Sequence, residues 1–197
     1  MRHIWLLVAG SVLIAGCGNF GGSLPDTHVL VITDLSTQDE QDYATAFYDG
    51  FARKARRFKT MSLDRLLGET TVVDYSGASS REVVEDVMLH RLNDLTPSTD
   101  EALIAAARRV LDHANGLKEG QRLVAVILTN GTRNPATIST LTRIVSTIPA
   151  SGNVTIYVAG VQASNVTALT PVFSTMPANA AVIGTLDSDL KTLMRRL

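Results

Sequence analysis

The sequence has few of the residues on which several common protein classes depend. Its 197 residues include one cysteine and one tryptophan, and 18 Lys and Arg are set against 19 Asp and Glu. A single cysteine excludes an internal disulfide, a zinc ribbon and an iron–sulfur protein. The formal net charge of −1 gives no overall electrostatic reason to bind nucleic acid. The 45% of hydrophobic residues indicates one ordinary globular domain.

Motifs of common enzyme classes are also missing. The chain has no Gly-x-Ser-x-Gly nucleophile elbow, no glycine-rich phosphate loop and no dinucleotide-binding fingerprint. His28, His90 and His113 are too far apart in sequence to form a local metal-binding motif. We therefore expect a protein that is not an enzyme. A Mg²⁺-dependent phosphohydrolase is the less favoured alternative, because Asp34 follows a predicted strand as an aspartyl nucleophile could.

The one cysteine ends a short apolar segment at the start of the chain. Arg2 precedes an apolar run from Ile4 to Ile14, which is shorter than the roughly 20 residues of a membrane-spanning helix. The run closes with Leu13-Ile14-Ala15-Gly16-Cys17 and resembles the lipobox of bacterial lipoproteins, in which cleavage precedes the cysteine and the cysteine carries the lipid. A secretory signal with an incidental cysteine and a buried N-terminal helix are the alternatives.

This resemblance divides the chain into three parts. It implies a signal peptide over residues 1–16, a lipidated Cys17 with a flexible tether over residues 17–27, and a folded domain over residues 28–197. Acyl chains, palmitate among them, would anchor the protein to the bacterial cell envelope. By resemblance to Gram-negative sorting patterns, Gly18 in place of Asp favours the outer membrane over the inner membrane, with the domain facing the periplasm or the cell exterior.

Apolar runs and helical patterns alternate along the folded part. Continuous apolar runs are typical of strands buried on both faces, as in parallel sheets. The predicted strands are residues 29–32, 124–128 and 156–159, with weaker candidates at residues 71–75 and 180–183. Residues 81–92 fit either a helix or an antiparallel strand. The alternation predicts an α/β fold with a three-layer, doubly wound, mainly parallel sheet covered by helices on both faces.

Two predicted helices carry recognisable start signals. Thr37 with Glu40, and Ser98 with Glu101, have the spacing of capping boxes. The first of these helices presents one apolar face through Tyr43, Phe47, Phe51, Ala55 and Phe58. Its basic end complements the helix dipole, and a docking patch is the alternative for these residues: Arg53, Lys54, Arg56 and Arg57.

Polar residues follow two of the predicted strands and precede one helix. Asp34 and Ser36 come after the first strand, Thr129 and Asn130 come after the central strand, and Thr99 lies before a helix. The carboxyl ends of parallel strands meet at one sheet edge, where ligands of such folds bind. Carboxylate, hydroxyl and amide oxygens are suitable ligands for Mg²⁺.

The order of these motifs resembles the metal-ion-dependent adhesion site of von Willebrand factor A domains, over about residues 28–197. That site combines an Asp-x-Ser-x-Ser motif, a Thr before a helix, and a Thr-Asp-Gly turn. Asp34, Ser36 and Thr99 match their positions, whereas Gln38 replaces the second Ser and Asn130 replaces the turn's Asp.

These two departures imply a degenerate site. Asp34 is its single carboxylate by this reasoning, and fewer charges weaken the binding of a divalent ion. We expect weak Mg²⁺ binding or none, with Gln38 and Thr129 as supporting residues. A hydrogen-bonded network of Asp34, Thr99 and Asn130 without metal is the alternative.

The resemblance also implies the function. We expect a membrane-anchored extracytoplasmic lipoprotein that binds an unidentified protein partner, as an adhesive or scaffold module, through the loops at the carboxyl edge of the sheet. In the family, an acidic residue of the partner often completes the metal shell. A small-molecule-binding, flavodoxin-like domain using the same edge is the alternative.

Removal of the signal peptide would change the fluorescence of the protein. Trp5 is the only tryptophan and lies within the predicted signal peptide, so we expect tyrosine-dominated emission from the mature protein. The emission spectrum of protein purified from the cell envelope checks this, with the uncleaved precursor as control. A tryptophan band from the mature protein would contradict cleavage before Cys17.

Overall fold

The computed structural model describes residues 26–149, 152–174, 176 and 180–197. The predicted signal peptide, Cys17 and nearly all of the predicted tether lie outside these residues. The described part contains one six-stranded sheet with the strand order β3-β2-β1-β4-β5-β6. The strands are β1 (Thr27–Thr33), β2 (Thr60–Leu67), β3 (Thr70–Ala78), β4 (Arg122–Leu128), β5 (Val154–Val161) and β6 (Ala180–Gly184). All pairings are parallel except the antiparallel pairing of β3 with β2.

Helices cover both faces of this sheet, which confirms the predicted three-layer α/β fold. The helices are α1 (Gln38–Ala52), α2 (Arg81–Arg91), α3 (Ala102–Asn115), α4 (Pro135–Val145), α5 (Ala163–Ser174) and α6 (Asp187–Arg196). One core lies between the sheet and α3, α4 and α5, and the other lies between the sheet and α1, α2 and α6. In the part of the chain that the structure describes, no helix has the length and apolar character needed to cross a membrane.

The first helix is shorter than its apolar spacing predicts. Helix α1 ends at Ala52, and a 3₁₀ turn at Ala55–Arg57 follows it. Phe58 nevertheless packs on the helix, because its ring lies 5.9 Å from that of Phe51. The side-chain contact therefore survives although the helical backbone has ended.

The two predicted capping boxes have different outcomes. The box of Thr37 and Glu40 is confirmed, since the Thr37 side chain accepts the Glu40 N–H and the Glu40 side chain accepts the Thr37 N–H. The box of Ser98 and Glu101 is wrong. Helix α3 begins after Glu101 without a side-chain cap, because the Ser98 hydroxyl donates to Asp34 instead.

Strand β2 is the element that the apolar pattern does not reveal. Its sequence carries Ser62 and Asp64, which interrupt the apolar run although both are fully buried. The Asp64 carboxylate accepts hydrogen bonds from Ser62 Oγ at 2.7 Å and from Arg109 Nε at 2.7 Å. A buried carboxylate is tolerated when it is paired and hydrogen-bonded in this way. Of the two alternatives for residues 81–92, the helix is confirmed, because residues 81–91 form α2 and the antiparallel strand is β3.

The parallel strands give the domain two distinct ends. We call the end where β1, β2, β4, β5 and β6 finish the site edge, and the end where they begin the basal edge. Helices α1, α4, α5 and α6 each follow one of these strands, and α3 follows α2, which returns the chain to the site edge. These five helices therefore have their amino ends at the site edge and their carboxyl ends at the basal edge. The described chain enters the fold at the basal edge, through Asp26 and Thr27.

Candidate functional site

Three loops enclose a small cavity at the site edge. The cavity has a volume of about 150 Å³ and lies between the loop after β1, the loop before α3 and the loop after β4. Its lining residues are Asp34, Ser36, Ser98, Thr99, Asp100, Leu103, Thr129, Asn130, Gly131 and Thr132. Pairing of β1 with β4 brings the first and third loops together, and the Asp34 N–H extends this pairing by donating to the Leu128 carbonyl at 2.8 Å.

The Asp34 carboxylate connects all three loops. Its Oδ1 atom accepts hydrogen bonds from Ser98 Oγ at 2.8 Å and from the Ser36 N–H at 3.2 Å. Its Oδ2 atom lies 3.5 Å from Thr129 Oγ1, which donates to it. The residue is only 5% exposed. Asp34 therefore organises the site as well as contributing its charge.

Glu40 is a second buried carboxylate beside this cavity, and it is also 5% exposed. Its Oε2 atom accepts hydrogen bonds from Ser36 Oγ at 2.6 Å and from the Thr37 N–H at 3.0 Å. Its Oε1 atom accepts the Asn130 N–H at 3.0 Å. Glu40, the capping-box partner of Thr37, thus also connects the loop after β1 to the loop after β4.

These two carboxylates have no basic partner. Across the described ranges, neither Asp34 nor Glu40 forms an ion pair with a Lys, Arg or His side chain. Burial, as the larger cause, and the negative charge of Glu40 together raise the pKa of Asp34 from 3.8 to about 6. Hydrogen bonds from Ser98 and Ser36 oppose this rise. The site therefore concentrates negative charge that a cation would offset.

The structure brings together most of the predicted site residues. Asp34, Ser36, Thr99, Thr129 and Asn130 all line the cavity. Gln38, predicted as a supporting residue, does not line the cavity. It lies at the exposed start of α1, where its side-chain amide donates to Gln41 and Asp42.

Three contributing residues were not among those predicted. Glu40 and Ser98 have spacings that indicate helix caps, and a capping role does not predict their hydrogen bonds to other loops. Asp100 adds an exposed carboxylate to the cavity lining. The hypothesis of a site with the single carboxylate Asp34 is therefore corrected, because Glu40 adjoins it and Asp100 lines it. Only the strand order, which places β4 beside β1, could have revealed the contact of Glu40 with Asn130.

The donor set fits a hard cation such as Mg²⁺, which prefers oxygen ligands and retains several waters. Ser36 and Ser98 donate their protons to Glu40 and Asp34, so lone pairs of both hydroxyl oxygens remain available for a cation. Within the described residues there is no group of three or more His, Cys, Asp or Glu side chains placed to hold a metal ion. Any metal would therefore depend on hydroxyl ligands in addition to Asp34.

A second, more open cavity of about 380 Å³ adjoins the first through Asn130. Its lining includes four acidic residues, Asp39, Glu40, Asp42 and Asp187. The site edge is therefore acidic beyond the small cavity itself.

Comparison with known proteins places these features in a family. The profile of the von Willebrand factor type A domain matches residues 69–196. The matched range includes Thr99, Thr129 and Asn130 but begins after Asp34 and Ser36. A search of curated protein sequences found no match.

Two solved structures resemble the fold. Proximal thread matrix protein 1 (PTMP1) from the mussel byssus aligns with a TM-score of 0.54 and 12% identity, over 87% of this chain and 46% of that chain. The SpRpn10 VWA domain aligns with a TM-score of 0.48 and 14% identity, over 87% of this chain and 94% of that chain. At such low identity the likeness concerns the fold alone.

Replacing Asp34 by Asn should stabilise the domain in the absence of divalent cations. The folded pKa of Asp34 lies above its unfolded value, so its stabilising contribution is present below pH 3.8 and is lost as the pH rises to about 6. Asn keeps a hydrogen-bond acceptor without the charge. Above pH 6 we expect Asp34→Asn to raise the free energy of unfolding by about 1 to 3 kcal/mol, measured by urea denaturation.

Glu40→Gln is the matched control for this prediction. Glu40 accepts backbone N–H groups with both carboxylate oxygens, whereas the Gln side chain offers one oxygen, so we expect the lost acceptor to cost about 1 to 2 kcal/mol and to offset the relief of charge repulsion. A loss of stability in Asp34→Asn above pH 6 would contradict the prediction.

Proposed function

Because this chain belongs to the von Willebrand factor type A domain family, we propose that it is a protein-binding module that presents the site edge to a protein partner. The observation that carries this proposal is the small cavity in which buried carboxylates tie three loops together without a basic partner. Such a site lowers the stability of the domain, since burial of the Asp34 charge and its repulsion by Glu40 oppose folding, and a binding role explains why it is kept. Its lining includes no histidine, cysteine or lysine, which favours binding over catalysis.

Mg²⁺ would be held in this cavity by Asp34 together with the hydroxyl oxygens of Ser36, Ser98 and Thr99. When bound, the ion would supply a positive charge that attracts an acidic side chain of the partner. Glu40 would orient Ser36 from outside the ligand set, because it accepts the Ser36 hydroxyl proton. Asn130 would contribute a neutral amide where the family has an acidic residue, which favours weak affinity.

The second part of the proposal concerns the membrane. We propose that Cys17 carries lipid and anchors the domain to the bacterial envelope, on the extracytoplasmic side and by preference at the outer membrane. The described chain enters the fold at the basal edge, opposite the cavity. A lipid at Cys17 therefore leaves the site edge free to meet a partner.

Calorimetric titration of the domain with Mg²⁺ and Mn²⁺ tests the metal site. We expect binding in the millimolar range that disappears in Asp34→Asn, because the remaining cavity oxygens are neutral or exposed. Gln38→Ala should bind as the parent does, since Gln38 lies outside the cavity. Absence of heat at millimolar ion concentrations would remove the metal from the proposal.

Capture of partners from the native envelope tests the binding function. We expect the lipidated protein to retain a protein partner in Mg²⁺, and to lose it on addition of chelator or in Asp34→Asn. The Gln38→Ala protein serves as the matched control. Retention that survives chelator and Asp34→Asn but fails in Thr99→Ala would indicate a loop contact without metal. No retained protein in any condition would contradict a binding role for the site edge.

A further inference from the structure

The near-neutral net charge conceals an uneven distribution of charge between the two ends of the domain. Acidic residues collect at the site edge, at helix starts and in loops: Asp34, Asp39, Glu40, Asp42, Asp94, Asp100, Glu101, Asp187 and Asp189. Basic residues collect where α1 and α6 end. We call the second group the basal basic patch: Arg53, Lys54, Arg56, Arg57, Lys191, Arg195 and Arg196.

Close packing of α1 against α6 brings basic residues of both helices together. A Cβ atom on Gly50 would lie 2.8 Å from Met194 Sδ, so the glycine allows the two helices to approach. A groove of about 530 Å³ lies between them, and Arg53, Lys191 and Arg195 are among the residues that line it. The basic side chains of two helices thus border the same depression.

Most of this positive charge is not neutralised. Arg53 pairs with Asp49 at 3.0 Å and Arg56 with Glu82 at 3.4 Å, but these pairs are exposed and therefore weak. The other members of the patch form no ion pair with any residue in the described ranges: Lys54, Arg57, Lys191, Arg195 and Arg196. Desolvation, as the larger cause, and the neighbouring charge of Arg57 lower the pKa of Lys54.

The helix dipole alone does not account for this concentration. A dipole favours cations at every helix carboxyl end. Helices α3, α4 and α5 end at the same edge, yet the last turn of α4 carries one Arg, that of α3 one His, and that of α5 no basic residue. Arg56 and Arg57 also lie beyond the end of α1, in the 3₁₀ turn.

The chain enters the domain beside Lys59, which is two residues after Arg57 of the patch. The Lys59 N–H donates to the Thr27 carbonyl at 3.0 Å, and Lys59 Nζ lies 3.3 Å from the Asp26 carboxylate. Covalent geometry limits the distance from Cys17 to Asp26 to roughly 32 Å even when the chain is fully extended. A lipid at Cys17 would hold the basal edge close to a bilayer.

We propose that the basal basic patch binds the anionic lipid headgroups of the membrane that carries the Cys17 anchor, and that this contact turns the site edge away from the bilayer. The proposal rests on the proposed lipidation of Cys17. Lys and Arg side chains near an anionic surface are attracted to it within about a Debye length, and the acidic site edge is repelled by the same surface. The negative charge of the membrane surface would therefore attract the basal basic patch and turn the site edge away from the bilayer.

The test uses the lipidated full chain, reconstituted in vesicles of phosphatidylcholine with or without phosphatidylglycerol. Lipid on Cys17 leaves an introduced cysteine as the single free thiol for a dye. Ala78→Cys places the dye at the basal edge and Thr185→Cys places it at the site edge, and both positions are exposed. Energy transfer to an acceptor on the lipid headgroups reports which edge is nearer the membrane.

We expect stronger transfer from the basal dye than from the site-edge dye in vesicles with phosphatidylglycerol. This difference should fall to the level of neutral vesicles in high salt and in the triple variant Arg57→Gln, Arg195→Gln and Arg196→Gln. A control triple variant makes the same change in net charge away from the patch and should retain the difference: Arg91→Gln, Arg108→Gln and Arg133→Gln. Circular dichroism verifies that both triple variants fold.

The outcomes separate the lipid contact from the anchor. Dye labelling of the parent chain, which has no introduced cysteine, would reveal a free Cys17 and overturn the anchor on which the proposal rests. Lipidated protein whose transfer difference is the same in neutral vesicles, or persists in the patch variant, would overturn the lipid contact while leaving the anchor intact. The second result is also the one expected if the patch binds an acidic protein instead.

Discussion

The parallel pairing of β1 with β4 is the constraint on which the rest of the structure depends. These two strands pair residue by residue from Thr27 with Arg122 to Thr33 with Leu128, and both finish at the same edge. The polar residues that follow them must therefore meet. Asp34 and Thr129 are 95 positions apart in sequence, yet their side chains lie within 3.5 Å. The loop before α3 forms the third side of the cavity, where Ser98 donates a hydrogen bond to Asp34.

The site is an example of electrostatic strain held by local hydrogen bonds. Asp34 and Glu40 are buried close together, and the burial of the Asp34 charge and its repulsion by Glu40 oppose folding above the raised pKa of Asp34. Backbone N–H groups and serine hydroxyls hold both carboxylates in place. Buried Asp64 shows the contrasting arrangement, since Arg109 neutralises it. The domain supplies a basic partner to buried Asp64, and among the described residues it supplies none to Asp34 or Glu40.

Charge polarity follows from the direction of the chain in this fold. Five of the six helices run from the site edge to the basal edge, so the acidic starts of α1 and α6 both lie at the site edge, and the basic residues at their ends lie at the basal edge. A net charge near zero describes the sum and hides the arrangement. The composition gives no overall electrostatic reason to bind nucleic acid, and it does not reveal the local positive charge at the end formed by α1 and α6.

The sequence by itself determined the fold class, because apolar runs and helical spacing are local properties of buried strands and amphipathic helices. It also identified Asp34, Ser36 and Asn130 as strand-end residues. Tertiary structure alone decided that β2 is a strand, because a buried Asp becomes tolerable only when Arg109 reaches it from α3. The tertiary structure also shows that Glu40, a helix-cap residue by its spacing, contacts the loop after β4 through the Asn130 N–H. The physical reason is shared: burial and pairing of a polar side chain depend on which strands are neighbours, and strand order is not a local property of the chain.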